Sequence, residues 1–319
     1  MNVRRKKFAV LLLVLGSLSG GQLSPTSQEQ DTGPFRIAVD VDLVVLHATV
    51  RDRKGRVVPD LRKQDFEIDE DGVRQSIRLF QHEDTPVTVG LVVDHSGSMR
   101  PKLAQVIAAA RTFVQSSNPD DQMFVVNFNE TVSLGLPDTI PFTNDATELE
   151  HAISNAPVTG MTALYDAVAE GIERLRAGSQ EKKVLLVISD GGDNASAHSL
   201  ADVLKMAEQS SAIIYTIGLF DEADPDRNPR VLKRLAHKTG GEAFFPDELS
   251  AVVALCESIA RDIRNQYTIG YVSSNVTLKE VYRAIRVDAR AAGHGKLSVR
   301  TRAGYMAGKS RSGNDQGAP

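Results

Sequence analysis

The stretch VTVGLVVDHSGSM, Val87–Met99, decides the fold of the central part of this chain. Its first half is a continuous apolar run, which is typical of a strand that is buried on both faces of a parallel sheet. The run ends at Asp94, and Ser96 and Ser98 follow at alternate positions. One carboxylate and two hydroxyls at the end of a strand are too polar for a core and too regular for an ordinary turn. They predict a binding site, provided that other polar residues reach the same place.

Strand-like and helix-like segments alternate from residue 86 to residue 265. The predicted strands are VTVGLVV, MFVVNF, KKVLLVIS, AIIYTIG and an edge strand, GEAFF. Segments with helical spacing lie between them, and Pro101 and Asp145 stand at two of the predicted helix starts. This alternation predicts an α/β domain whose sheet is doubly wound, mostly parallel, built of about six strands and flanked by helices.

Two segments with a period of two flank this domain, residues 35–84 and residues 266–307. The first contains Asp71-Gly72 between two alternating runs, which is a strong signal for a β-hairpin. Chain ends often lie close together, and domain insertion is tolerated at surface loops. We therefore interpret the two segments as one antiparallel β domain into which the α/β domain is inserted. Two small independent β appendages are the alternative.

The N-terminal region has the order of a secretory signal peptide, predicted over residues 1–20. Basic residues come first, a short apolar run follows, and small residues suited to cleavage come last. The run is short for a membrane span, and an uncleaved anchor is the alternative. Residues 21–34 are predicted to be a flexible linker and residues 308–319 a disordered tail. We expect an exported protein, periplasmic or extracellular at the cell surface, with no transmembrane span in the mature chain.

The charge balance is acidic, with 37 Lys and Arg residues against 41 Asp and Glu residues. Cleavage of the signal peptide would remove four of the basic residues and move the formal net charge from −4 to about −8. An acidic chain without a basic cluster is a poor candidate for binding nucleic acid or anionic membranes. The single cysteine, Cys256, lies in an apolar helical pattern, and we expect a small buried side chain rather than a reactive thiol.

Three polar features reach the edge of the predicted sheet where ligands collect, beyond the carboxyl ends of the strands. The first is Asp94 with Ser96 and Ser98, the second is Thr162 in VTGMTALYDAV, and the third is Asp190 in VISDGGDN. Two carboxylates and three hydroxyls form a hard, oxygen-only ligand set. Such a set suits Mg²⁺ or Mn²⁺, with water molecules in the remaining octahedral positions.

These motifs resemble those of the von Willebrand factor A-type domain and its metal-ion-dependent adhesion site, over about residues 87–263. The pattern of that site is D-x-S-x-S, a later Thr and a later Asp. It is matched at Asp94, Ser96, Ser98, Thr162 and Asp190. The resemblance implies that the serines and the threonine ligate a divalent cation directly or through water, and that the aspartates act largely through water. It also implies divalent-cation-dependent adhesion, in which the cation accepts a carboxylate from an Asp or Glu side chain of a protein partner.

The flanking segments carry a second resemblance. VRDRKGRVVPDLRKQDFEIDEDGVRQSIRLF before the domain, and QYTIGYV and VRTRAGY after it, resemble a bacterial group of exported proteins labelled VWFA-related. The resemblance implies export, and it supplies no shared biochemical role.

Three other functions are weighed against metal-dependent adhesion. A structural scaffold of the cell envelope would need no metal, and a cation could also serve only to stiffen the loops. A Mg²⁺-dependent hydrolase is disfavoured, because Ser96 occupies the position of the second carboxylate in D-x-D-x-T and no G-x-S-x-G elbow is present. The histidines show no HExxH or paired spacing, so zinc is not supported. We therefore expect a binding protein and not an enzyme.

Two further residues lie inside or just after the pattern. His95 occupies the variable position inside D-x-S-x-S, and we expect an exposed spacer, with contact to the partner as the alternative. Asp193 follows the last predicted ligand, and we expect it to cap a helix or face solvent in a turn rather than support the cation.

Overall fold

The computed structural model describes residues 43–220, 227–275 and 281–307. The predicted signal peptide, the linker, the first residues of the N-terminal β segment and the C-terminal tail lie outside the described residues.

The described residues form strands and helices in the order expected from the sequence. The strands are β1 (Leu43–Arg51), β2 (Phe66–Glu70), β3 (Val73–Gln75), β4 (Ile77–Gln81), β5 (Val87–Asp94), β6 (Gln122–Phe128), β7 (Val132–Leu134), β8 (Lys182–Ser189), β9 (Ala212–Gly218), β10 (Ala243–Phe244), β11 (Tyr267–Val272), β12 (Val281–Ala289), β13 (Ser298–Arg300) and β14 (Gly304–Ala307). The helices are α1 (Leu103–Ser116), α2 (Ala146–Ser154), α3 (Leu164–Leu175), α4 (Leu200–Gln209), α5 (Pro229–Thr239) and α6 (Ala251–Arg264).

A six-stranded sheet forms the centre of the α/β domain, in the order β10-β9-β8-β5-β6-β7. Its strands are parallel except β7, which pairs antiparallel with β6. The mostly parallel sheet of the sequence analysis is therefore confirmed. Every residue of β5 is buried, because helices cover both faces of the sheet. No strand was predicted at β7, which has only three residues and joins β6 through a short turn.

Helix ends follow local chemistry. The Asp145 carboxylate accepts hydrogen bonds from the backbone N–H groups of Thr147 and Glu148 and begins α2, as predicted. Gly240 ends α5 with φ 82°, the left-handed conformation that glycine adopts most easily. The helix that was predicted to start at Pro101 begins at Leu103, after a short 3₁₀ turn at Gly97–Met99. Among the described residues, none of the helices has both the length and the apolar character to cross a membrane.

The segments before and after the α/β domain build a β unit together. Its two four-stranded sheets have the orders β13-β1-β11-β4 and β14-β12-β2-β3, so each sheet contains strands from both segments. Central β1 pairs antiparallel with β11, and β2 pairs antiparallel with β12. The predicted hairpin turn is present, with φ 49° at Asp71 and φ 80° at Gly72. The antiparallel β part of the predicted fold, formed by both segments, is confirmed.

The β unit has its own apolar core, and charged side chains join it to the α/β domain. Arg51, at the end of β1, forms ion pairs with Asp262 on α6 and with Glu242, just before β10. Arg300, at the end of β13, pairs with Glu242 and lies over the ring of Tyr215. We refer to Arg51, Glu242, Asp262 and Arg300 as the junction network.

Candidate metal site

The two predicted carboxylates lie where the adjacent central strands β5 and β8 end. β5 ends at Asp94, and β8 ends at Ser189, the residue before Asp190. The strands are parallel, and Val93 pairs with Ile188. Asp94 and Ser189 are therefore the next neighbours along the two strands, and the polar side chains collect at the carboxyl edge of the sheet.

Side-chain hydrogen bonds join four of the five predicted ligands. The Ser98 hydroxyl donates to Asp190 Oδ2 over 2.5 Å, and the hydroxyl oxygens of Ser96 and Ser98 lie 3.2 Å apart. The backbone N–H of Ser96 donates to Asp94 Oδ1 over 2.8 Å. This chain of contacts brings Asp94, Ser96, Ser98 and Asp190 into one cluster at the sheet edge.

Thr162 lies on the loop that packs against this cluster. The backbone N–H of Gly97 donates to the Gly160 carbonyl over 3.4 Å, and the N–H of Thr162 donates to Asn194 Oδ1 over 2.9 Å. These bonds hold the loop around Gly160 and Thr162, the Thr162 loop, between the loop that carries Ser96 and Ser98, the serine loop, and the loop after Asp190. In the described parts of the chain, no side-chain hydrogen bond connects Thr162 to the other four residues, so the backbone sets its position.

The electrostatics of the cluster favour a cation. Asp94 is fully buried and Asp190 is 2% exposed. Burial, together with the charge of Asp190, raises the pKa of Asp94 to about 6, although hydrogen bonds from Ser189 and Ser96 oppose the shift. Neither carboxylate takes part in a salt bridge with any described residue. Two neighbouring buried carboxylates without a counter-charge are unfavourable, and a bound cation would remove that penalty.

The donor chemistry fits a hard divalent cation. Two carboxylates and three hydroxyls present oxygen atoms only, as Mg²⁺ and Mn²⁺ prefer. Within the described residues, no group of three or more His, Cys, Asp and Glu side chains could hold a metal ion. A cation in this cluster would meet two carboxylates, fewer than in the carboxylate-rich cages that hold cations for structural purposes.

Ser189 supports the cluster and was not identified from the sequence. Its hydroxyl donates to Asp94 Oδ2 over 2.6 Å and accepts a hydrogen bond from the backbone N–H of Gly191 over 2.9 Å. The side chain is fully buried and fixes the orientation of the Asp94 carboxylate. The signal for this role was a hydroxyl at the last position of the otherwise apolar run VLLVIS.

The expectation that His95 is an exposed spacer is wrong. His95 is 1% exposed, and its ring nitrogens lie 3.1 Å from the Val93 carbonyl oxygen and 3.0 Å from the Ile153 carbonyl oxygen. Its side chain reaches the last turn of α2, where carbonyl groups need partners. His95 therefore anchors the serine loop to α2, and its buried ring is not exposed to a partner.

Asp193 caps a helix, as expected. Its Oδ1 accepts hydrogen bonds from the backbone N–H of Tyr165 over 3.0 Å and from the Ser196 hydroxyl over 2.6 Å. Tyr165 lies in the first turn of α3, the helix that follows Thr162. Cys256 is buried, and burial raises the pKa of its thiol to about 12, so it is a core residue and not a nucleophile.

Comparisons with known proteins identify the α/β domain. Residues 88–257 match the family model described as von Willebrand factor type A domain. Inter-alpha-trypsin inhibitor heavy chain H2 of Mus musculus is 26% identical over 170 residues, which cover 50% of this chain and 18% of that protein. The same protein of Mesocricetus auratus is 25% identical over 170 residues with equal coverage. The match thus spans only 18% of the length of these relatives.

A solved structure shares the fold. The von Willebrand factor type A structure from Catenulispora acidiphila superposes with a TM-score of 0.51 and 14% sequence identity, covering 76% of this chain and 73% of that chain.

Proposed function

We propose, for a chain that belongs to the von Willebrand factor type A domain family, that it binds a protein partner through a divalent cation. The residues that would hold Mg²⁺ or Mn²⁺ are Asp94, Ser96, Ser98, Thr162 and Asp190. When bound, the cation supplies an electrophilic position that an Asp or Glu carboxylate of the partner can occupy in place of water.

The observation that carries this proposal is the pair of neighbouring buried carboxylates that accept hydrogen bonds from serine hydroxyls. Asp94 and Asp190 are close enough for the charge of one to raise the pKa of the other. Ser98 and Ser189 orient these carboxylates by hydrogen bonds of 2.5 Å and 2.6 Å. A carboxylate that acts through water lies farther from the cation than a direct ligand and offsets less of its local field. With the aspartates acting through water, the cation would keep a stronger attraction for an anionic partner at its open position.

The same cluster supports binding rather than catalysis. A hydrolase would need a second titratable group near Asp94 to transfer a proton, and Ser96 stands where that carboxylate would be. His95, the titratable side chain next in sequence, is turned into the domain against carbonyl groups. The hydroxyls at the described edge can hold and orient groups, and a pair of carboxylates set to hold a cation suits binding better than proton transfer.

We further propose that the protein is exported and acts outside the cytoplasm, as a member of the bacterial exported group that its flanking segments resemble. The support is the signal-peptide pattern over residues 1–20 and the acidic charge balance, which suits adhesion to a protein and not to nucleic acid. The β unit would then hold the α/β domain with its binding edge directed to solvent.

A capture experiment tests this function. Purified protein is immobilised, exposed to cell-envelope extract with Mg²⁺ or with EDTA, and compared with Ser98→Ala and with Ser117→Ala. Ser117 follows α1 at the opposite edge of the sheet and serves as the matched serine control. We expect a captured partner that is lost in EDTA and in Ser98→Ala but kept in Ser117→Ala. Equal capture of the partner with Mg²⁺ and with EDTA would favour a scaffold that works without metal.

A further inference from the structure

An exposed methionine stands beside the candidate metal site. Met161 precedes Thr162 directly and is 52% exposed. Among the described residues, the other exposed large hydrophobic side chains all belong to the β unit. They are Val73, Val272, Val281, Tyr282 and Met306. Because Met161 is the residue directly before a predicted cation ligand, a partner bound at the cation would meet this exposed apolar side chain.

The loop that carries Met161 is fixed and not loose. The backbone N–H of Met161 donates to Glu130 Oε2 over 3.2 Å, and the Thr162 N–H donates to Asn194 over 2.9 Å. The carbonyl of Thr162 accepts hydrogen bonds from the N–H groups of Asn194 and Ala195. Because the backbone is held on both sides of Met161, the base of its side chain has a defined place next to the predicted cation ligands, which lowers the backbone entropy lost on binding.

Charged side chains of both signs bond to the backbone of the loop that carries Met161. Arg100, two residues after Ser98, is exposed, and its Nη2 donates to the Val158 carbonyl over 2.7 Å, which bridges the serine loop and the Thr162 loop. Glu130 lies directly against Gly160, since a Cβ on that glycine would come within 2.0 Å of Glu130 Oε2. Glu130 repels a second carboxylate near Met161, whereas an apolar group there would cover the methionine.

We propose that Met161 determines which partner segments bind. The preferred segment has one acidic residue, and the residue next to that acidic residue is apolar rather than a second acidic residue. The inference rests on the proposed function, since the acidic residue would be the one that the cation accepts. The methionine side chain is flexible and polarizable, so it can pack against several apolar shapes and would select a chemical class rather than one residue.

Peptides with a single carboxylate test the inference. Acetylated and amidated peptides Gly-Leu-Asp-Leu-Gly and Gly-Ser-Asp-Ser-Gly are immobilised, and binding of the protein is measured with Mn²⁺ and with EDTA. We expect a Mn²⁺-dependent preference of about five- to tenfold for the leucine peptide, from the apolar area that Met161 can bury. Met161→Ser should abolish the preference and leave the Mn²⁺ affinity, measured by calorimetry, unchanged.

Met306→Ser is the matched control, because Met306 is 40% exposed in the β unit, away from the cluster. It should keep the preference for leucine. Equal Mn²⁺-dependent binding of both peptides, or a preference that survives Met161→Ser, would overturn the role of Met161 and leave the proposed function intact. Absence of Mn²⁺-dependent binding to either peptide would overturn the proposed function itself, and the inference with it.

Discussion

Replacing Arg51 with Met would remove the cation that faces Asp262 in the junction network and keep an apolar stem in its place. The Asp262 side chain is 5% exposed and that of Arg51 is 25% exposed. Loss of one partner from a buried ion pair typically costs about 3–5 kcal/mol. Since Arg51 is partly exposed and Arg300 still attracts Asp262, we expect the lower end, a loss of about 3 kcal/mol in the free energy of unfolding.

The loss should depend on pH. Burial already raises the pKa of Asp262, against the attraction of Arg51 and Arg300. Without Arg51 the pKa rises further, so the folded protein takes up a proton at a higher pH than the unfolded chain does. Its stability is then regained as pH falls, and the penalty of Arg51→Met should be smaller at about pH 5 than at about pH 8.

Urea unfolding followed by circular dichroism measures both effects. The double variant Arg51→Met/Asp262→Leu replaces the ion pair with two apolar side chains. Its free energy of unfolding should lie within about 1 kcal/mol of that of the natural protein. Two results would refute the reasoning. One is a loss of less than about 1 kcal/mol in Arg51→Met. The other is a loss in the double variant that equals the added losses of Arg51→Met and Asp262→Leu.

Two further predictions concern buried groups. Burial lowers the pKa of Lys182, whose ammonium donates to the Ile263 carbonyl, to about 8, although Asp121 and Asp84 attract its charge. The unfolded chain therefore keeps this proton to a higher pH than the folded protein does. The free energy of unfolding should rise by up to ~3 kcal/mol between about pH 8 and pH 10.5. Urea unfolding measured across this pH range should show the rise in the natural protein and not in Lys182→Met. Ser189→Ala should weaken Mg²⁺ binding about tenfold or more, because Asp94 loses the hydroxyl that orients it, and equal affinity in calorimetry would contradict that role.

The sequence was sufficient for the α/β fold because its signals are local and continuous. The run from Val87 to Val93 is apolar except for Thr88, and the neighbouring strands β6 and β8 each contain a central apolar run of their own. The polar cluster was predictable too, since parallel strands end at one edge and bring Asp94 and Asp190 together. The presence of a cation there, and its ligands, stay predictions.

Other features depend on contacts between distant residues and left no local signal. Arg51 and Asp262 are 211 residues apart, and in the sequence each looks like an ordinary solvated charge. His95 was misjudged because a histidine between a carboxylate and a serine gives no sign of which way its ring points. β7 was missed because three residues are too few for a period to be recognised.

Titration of the purified protein with Mg²⁺ and with Mn²⁺ by calorimetry tests the central claim most directly, with Asp94→Ala titrated in parallel and the melting of both proteins followed without metal. We predict saturable binding at one site in the natural protein and no binding in Asp94→Ala. The metal-free variant should still melt cooperatively, because relief of the repulsion between Asp94 and Asp190 offsets part of the hydrogen bonding that Ser189 and Ser96 lose. Absence of binding by the natural protein, or equal binding by the variant, would contradict a metal site built on these residues.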